Sequence, residues 1–261
     1  MNRPGILVVS HGSREENWIK LVDEAVNAAT IGALVPVVSS FLEIVSGRLI
    51  QDGIDELERR GVNDILVVPL FVSSGSTHVD EIGQAFGLPP LSDLEGDLGT
   101  FRVEAKITYG KPIDNDSEIA ELLLANISDL SENPEREALL LIGHGSKEPV
   151  FHERWQAGLS GLAERLRLLG GYSRADYAML LPDMAADQLR AMKEARPEQA
   201  VIVVPLFLSP GYFTNHVIPS RLSGLEYRYN GQAMLPHAAI ARWLKRQMSE
   251  WLHSIGHAGN V

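Results

Sequence analysis

Short apolar runs of four to eight residues alternate with longer segments of helical period along the whole chain. ILVVS (6–10) reads as a strand, and Trp18, Leu21, Val22, Ala25 and Ala28 on one stripe predict a helix over 14–31. LVPVVSSFLE (34–43) and DILVVPLFVS (64–73) read as further strands, separated by a helix over 46–61. A helix over 78–87 leads into the Pro/Gly/Asp-rich loop LPPLSDLEGDLG (88–99), and VEAKITYG (103–110) reads as a fourth strand. A helix over 115–130 follows, closed by SENPERE (131–137), which reads as a linker.

The same order then returns. ALLLIG (138–143), DYAMLL (176–181), VIVVPLFLS (201–209) and YRYNGQAML (227–235) read as strands, the last of them weak. Helices are expected over 150–169, 184–195, 213–223 and 237–254. Uninterrupted apolar strands alternating with amphipathic helices imply parallel sheets covered on both faces. The expectation is an α/β protein of two tandem duplicated units, 1–130 and 138–261, each with a four-stranded parallel sheet flanked by helices.

Fixed points support the duplication. Gly12 recurs as Gly145 and Pro69 as Pro205, at offsets of 133 and 136, and Pro112 matches Pro236 less closely, at 124. By the Pro69/Pro205 register, Glu43 aligns with Met179 and His78 with Thr214.

In open parallel sheets, ligands bind outside the carboxyl ends of the strands. The polar phrases that break the apolar strands lie there: SHGSR with His11 and Ser13, SFLE with Glu43, and SSGSTH with Ser73, Ser74 and His78. Gly12 permits a sharp turn, and Ser13 is placed to cap the next helix. A lone strand-end histidine is as often structural as functional. Two histidines and a glutamate converging on one rim favour function, and an acid ending an apolar strand should be poorly solvated. The second half keeps His144, with His216 as a possible replacement for His78. His152, His237, His253 and His257 sit on helical faces and read as ordinary.

Composition narrows the chemistry. The 261 residues are 45% hydrophobic and 22% charged, with a formal net charge of −11, which argues against a nucleic-acid partner. There is no cysteine, so disulfides, thiolate nucleophiles and cysteine-held metals are excluded, and any metal must be handled by His, Asp and Glu. The N-terminus does not read as a signal peptide and no run is long enough to span a membrane, so a cytoplasmic location is expected. Neither a GxxxxGK[ST] phosphate loop nor a GxGxxG after the first strand is present.

HGSR after the first strand, SFLE at the second, VVPLFVSSG with a following His at the third, and YGKPI at the fourth resemble the sirohydrochlorin chelatase family. These are the ATP-independent class II chelatases, and the resemblance covers essentially the whole chain in the family's long, two-unit form. It implies a chelatase-like fold and metal insertion into sirohydrochlorin, a polycarboxylate tetrapyrrole. Fe²⁺ would give sirohaem and Co²⁺ would open a route to cobalamin. Iron is preferred here because the chain lacks the metal-binding tail of some cobalt-associated relatives.

The family's two metal-handling histidines and its glutamate carry over to His11, His78 and Glu43. The spacer before His78 is about a residue longer than the family pattern. Ser13, Arg14, Ser73, Ser74 and Lys111 are the candidates for the substrate's carboxylates. No permanently bound cofactor is expected, the divalent metal being a substrate. The chain could be a monomer through its internal duplication, or a homo-oligomer. Two rivals stand beside this reading: a histidine phosphatase, disfavoured because Ser10 and Gly143 rather than Arg precede His11 and His144, and a tetrapyrrole or metal carrier without turnover.

Overall fold

The computed structural model describes residues 2–30 and 32–256. Its first sheet is parallel throughout, in the order β2-β1-β3-β4, from β1 (Pro4–Ser10), β2 (Val37–Phe41), β3 (Asp64–Pro69) and β4 (Lys106–Tyr109). Central β1 is buried along its whole length, which is why ILVVS is apolar without alternation. The helices connecting these strands are α1 (Glu16–Ala29), α2 (Ile50–Arg59) and α3 (Thr77–Ala85). Val22, Ala25, Val26 and Ala29 form the buried stripe of α1, and Ile50, Gly53, Ile54 and Leu57 that of α2.

After α4 (Ser117–Asn126) and a 3₁₀ turn at Pro134–Arg136, the second parallel sheet has the order β6-β5-β7. It consists of β5 (Ala138–Gly145), β6 (Arg174–Leu181) and β7 (Val201–Pro205). The helices here are α5 (Pro149–Gly170), α6 (Ala185–Ala195), one π-helical turn at Phe213–Val217, and α7 (Ile218–Arg221). The closing helix is α8 (Ala238–Ser254).

A fourth strand, expected over 227–235, is reduced to one residue. Arg228 N–H donates to the Val201 carbonyl, and Val203 N–H donates to the Arg228 carbonyl, both at 2.9 Å. Pairing stops there because the chain is drawn away from β7 by a turn at Gly231 and by side-chain contacts to other segments. The Arg228 guanidinium donates to Glu137 and to the Leu130 carbonyl, the Tyr229 hydroxyl donates to the Thr214 carbonyl, and the chain turns at Gly231 with φ +71°.

The compact units in space are not the two halves of the sequence. One unit holds the chain up to Phe71, Thr77–Pro112 and the segment from Pro236 onward; the other holds Val72–Ser76 and Ile113–Leu235. Helix α8 packs on α1, and α4 packs on α5. The last helix of each sequence repeat therefore belongs to the compact unit built around the other repeat's sheet. An apolar stripe such as Ala239, Ile240, Trp243, Leu244 and Met248 dictates that α8 is buried, but not against which sheet.

Strand order also places the site. From β1 the chain crosses to β2 on one side, whereas from β3 it crosses to β4 on the other, so the carboxyl ends of β1 and β3 flank a topological switch point.

Candidate functional site

His11 follows β1 directly, and its orientation is fixed by the turn it starts. Its Nδ1 lies 3.1 Å from the Gly12 carbonyl oxygen, an acceptor only, so Nδ1–H donates and the Nε2 lone pair is left open. Gly12 adopts φ +100°, and a side chain there would collide with the Glu43 carbonyl oxygen, so only glycine allows the two strand ends to approach this closely.

Glu43 is pinned through its backbone. Its N–H donates to the His11 carbonyl at 3.2 Å, and its own carbonyl accepts from Val45 N–H at 2.8 Å. That second bond closes a three-residue turn around Ile44, whose φ of +72° is strained for a β-branched residue. The strain is local to the residue that follows Glu43. The Glu43 carboxylate reaches 3.7 Å from His11 Nε2. This is too long for a hydrogen bond. It does suit two ligands of one ion, each about 2.0–2.2 Å from it. The Glu43 side chain is 54% exposed, which overturns the expectation of a poorly solvated carboxylate. The reason is that β2 is an edge strand whose end turns outward at Ile44.

His78 enters from the first turn of α3. Its ring meets that of His11 edge-on, with centroids 4.9 Å apart and planes at 75°, and Phe71 lies 6.4 Å from the same ring. Its Nδ1 faces the Glu81 carboxylate at 3.3 Å. Glu81 was not among the residues expected from the sequence; the signal for it is the His-x-x-Glu spacing, which puts both side chains on one helical face. The loop 88–99 is fastened to the same helix. Asp80 accepts from Leu91 N–H and Gln84, Gln84 donates to the Leu94 carbonyl, and Glu81 accepts from Asp97 N–H. Tyr109 donates its hydroxyl to the Val79 carbonyl, and burial, with the Asp80 charge adding to it, pushes the phenol well above its usual range. It thus ties β4 to α3 as a neutral donor.

The second sheet repeats the backbone and changes the side chains. His144 Nδ1 donates to the Gly145 carbonyl at 3.0 Å, and Gly145, at φ +82°, sits where a side chain would collide with the Leu181 carbonyl. Ser10 pairs with Phe41 and Gly143 pairs with Met179, so the counterpart of Glu43 is Leu181 rather than Met179. The ring that meets His144 edge-on, at 5.2 Å and 79°, belongs to Phe213 rather than Thr214 or His216. Phe207 stacks on Phe213 at 5.4 Å, as the counterpart of Phe71. His216 is exposed and rests against Tyr212.

The remaining candidates are distributed as follows. Ser13 does not cap α1: its Oγ accepts from Glu15 N–H, and the helix starts at Glu16. Arg14 and Lys111 are exposed members of the first unit. Ser73 and Ser74 belong to the second unit. The Ser73 hydroxyl accepts from Gly75 N–H, and Ser74 N–H donates to Asp114. His152 and His253 donate to backbone carbonyls, and His237 caps α8 by accepting from Ala239 N–H. His257 lies outside the described residues. Among the described residues, no group of three or more His, Asp or Glu side chains encloses a metal, and no helix is long and apolar enough to cross a membrane.

The comparisons with known proteins converge on one group. A sequence model of the CbiX family matches residues 5–130 and again residues 138–251. A sirohydrochlorin cobaltochelatase of Methanococcoides burtonii is 30% identical over 122 residues, 46% of this chain and 90% of that protein. A sirohydrochlorin ferrochelatase of Bacillus subtilis is 26% identical over 165 residues, 63% of this chain and 59% of that protein. The solved structure of SirB from Bacillus subtilis with Fe3+ superposes with a TM-score of 0.76 at 21% identity, over 99% of this chain and 100% of the other. At that identity the likeness establishes the two-unit chelatase fold.

Proposed function

The chain belongs to the CbiX family, and from that premise we propose that it inserts a divalent metal into sirohydrochlorin without a nucleotide, in the cytoplasm. The observation that carries the reading is the pairing of His11 and His78, 4.9 Å apart at the switch point, with the Glu43 carboxylate 3.7 Å from His11 Nε2. The metal is a substrate here, and no resident cofactor forms part of the proposal.

Insertion requires the metal to shed water while two pyrrole N–H protons leave the macrocycle. His11 presents its Nε2 lone pair because Nδ1–H is committed to the Gly12 carbonyl. His78 presents its own Nε2 because Nδ1 faces Glu81. Two neutral imidazoles suit a borderline divalent ion and hold it without excess charge. Glu43, solvated and beside His11, receives the two pyrrole protons in turn and passes each to water. Arg14 and Lys111, both exposed, are the cations proposed for the substrate's carboxylates.

Ferrous iron is the proposed metal, supported by the ferrochelatase relative. Cobalt is the second reading, favoured by the 30% identity to a cobaltochelatase. The test is an anaerobic absorbance assay of sirohydrochlorin with Fe²⁺ or Co²⁺ and no nucleotide. Acceleration over the protein-free rate supports the reading, and the faster metal is the preferred one. Tight binding of the macrocycle with no acceleration by either metal would replace it with a carrier.

A further inference from the structure

We infer that Glu81 is a positioning residue for His78, setting its tautomer, and that the Gly96–Asp97 segment of the loop holds Glu81 in place for that purpose. The inference deepens the proposed function and rests on it for its consequence in metal delivery. Its structural core stands separately.

Glu81 lies one helical turn after His78 and is only 19% exposed, whereas Glu43 is 54% exposed. Its two carboxylate oxygens have different partners. Oε2 faces His78 Nδ1 at 3.3 Å, and Oε1 accepts from Asp97 N–H at 2.9 Å. A carboxylate accepts only, so the ring nitrogen facing it carries the proton and the other, Nε2, keeps its lone pair. A partner on the far ring nitrogen is the usual means of fixing a metal-binding histidine's tautomer and orientation.

The loop holds Glu81 closely. A side chain at Gly96 would come within 2.6 Å of Glu81 Cγ, so that segment lies directly on the glutamate's methylenes. In the equivalent position of the second sheet the ring is Phe213, which has no nitrogen to orient.

The two-partner geometry makes Glu81→Gln informative. An amide has one oxygen and one NH₂, so it can accept from Asp97 N–H or from His78 Nδ1–H, but not from both. Turned towards Asp97, it offers its NH₂ to His78 and favours the proton on Nε2, where the lone pair is needed.

The experiment has two arms on the full chain. In the first, ¹⁵N-histidine NMR of the metal-free protein, at a pH where His78 is neutral, reads the tautomer, with His78→Phe assigning the signal. Wild type is expected to carry the proton on Nδ1, and Glu81→Gln to lose that preference. In the second, Glu81→Gln is expected to raise the KM for Co²⁺ about 10–100-fold. Saturating metal should restore kcat, and the unfolding midpoint should be unchanged.

An unchanged tautomer in Glu81→Gln would overturn the inference whatever happens to the metal. So would equal losses in kcat and kcat/KM that saturating metal does not restore, which mark a structural role. Absence of metal insertion by wild type would sink the functional reading alone, because the NMR arm needs no turnover.

Discussion

At the end of β1, His11 faces His78 and Glu43; at the end of β5, His144 faces Phe213 and Leu181. The backbone around the two histidines is nearly the same. Each donates Nδ1–H to the next glycine's carbonyl, and each glycine has positive φ beneath the carbonyl of a neighbouring strand end. The His-Gly phrase is therefore a property of the turn and is kept wherever the turn is kept. What differs is the pair of side chains brought to the histidine from the second strand and the helix after the third. One sheet supplies a carboxylate and a second imidazole, the other a leucine and a phenylalanine. On the proposed function, the chemistry belongs to the partners and not to the repeated phrase.

The strongest way to break this comparison is to write the second rim into the first. His78→Phe reproduces the aromatic contact of Phe213 while removing the nitrogen. Metal insertion should fall by about 10²-fold or more, with the far-UV spectrum and unfolding midpoint close to wild type. A folded His78→Phe that keeps most of its rate would mean that the second imidazole is not needed. Glu43→Leu, which copies Leu181, should cost less, about 10–100-fold in initial rate. Glu43→Gln would then separate loss of charge from loss of shape.

The smallest effect separates turn from chemistry. Gly12→Ala and Gly145→Ala should each destabilise the fold by about 1–3 kcal/mol, seen in denaturant titrations, because both force a side chain against a strand-end carbonyl. Only Gly12→Ala should also lower the rate per folded molecule. Equal rate losses in both variants would show that the second rim takes part.

Much of this was legible in the chain. Apolar runs without alternation announced parallel strands, and the polar residues at their ends marked the rim that carries His11, Glu43 and His78. Three things were not. The stripe on α8 could not say which sheet it covers, because burial is scored against any apolar face. The proline register misplaced the counterparts of Glu43 and His78, because strand pairing rather than loop length fixes them. It pairs Gly145 with Leu181 and leaves Phe213, not Thr214, against His144. Glu81 was hidden because a helical carboxylate near a histidine is common on solvated faces, and only its burial and second partner distinguish it.

The most direct measurement compares wild type, His11→Ala and His144→Ala side by side in anaerobic metal insertion into sirohydrochlorin, with the macrocycle's binding recorded for each. The account predicts that His11→Ala loses turnover while still binding the macrocycle, and that His144→Ala turns over within about twofold of wild type. Loss of turnover in His144→Ala with His11→Ala unaffected would place the chemistry on the other sheet and contradict the account.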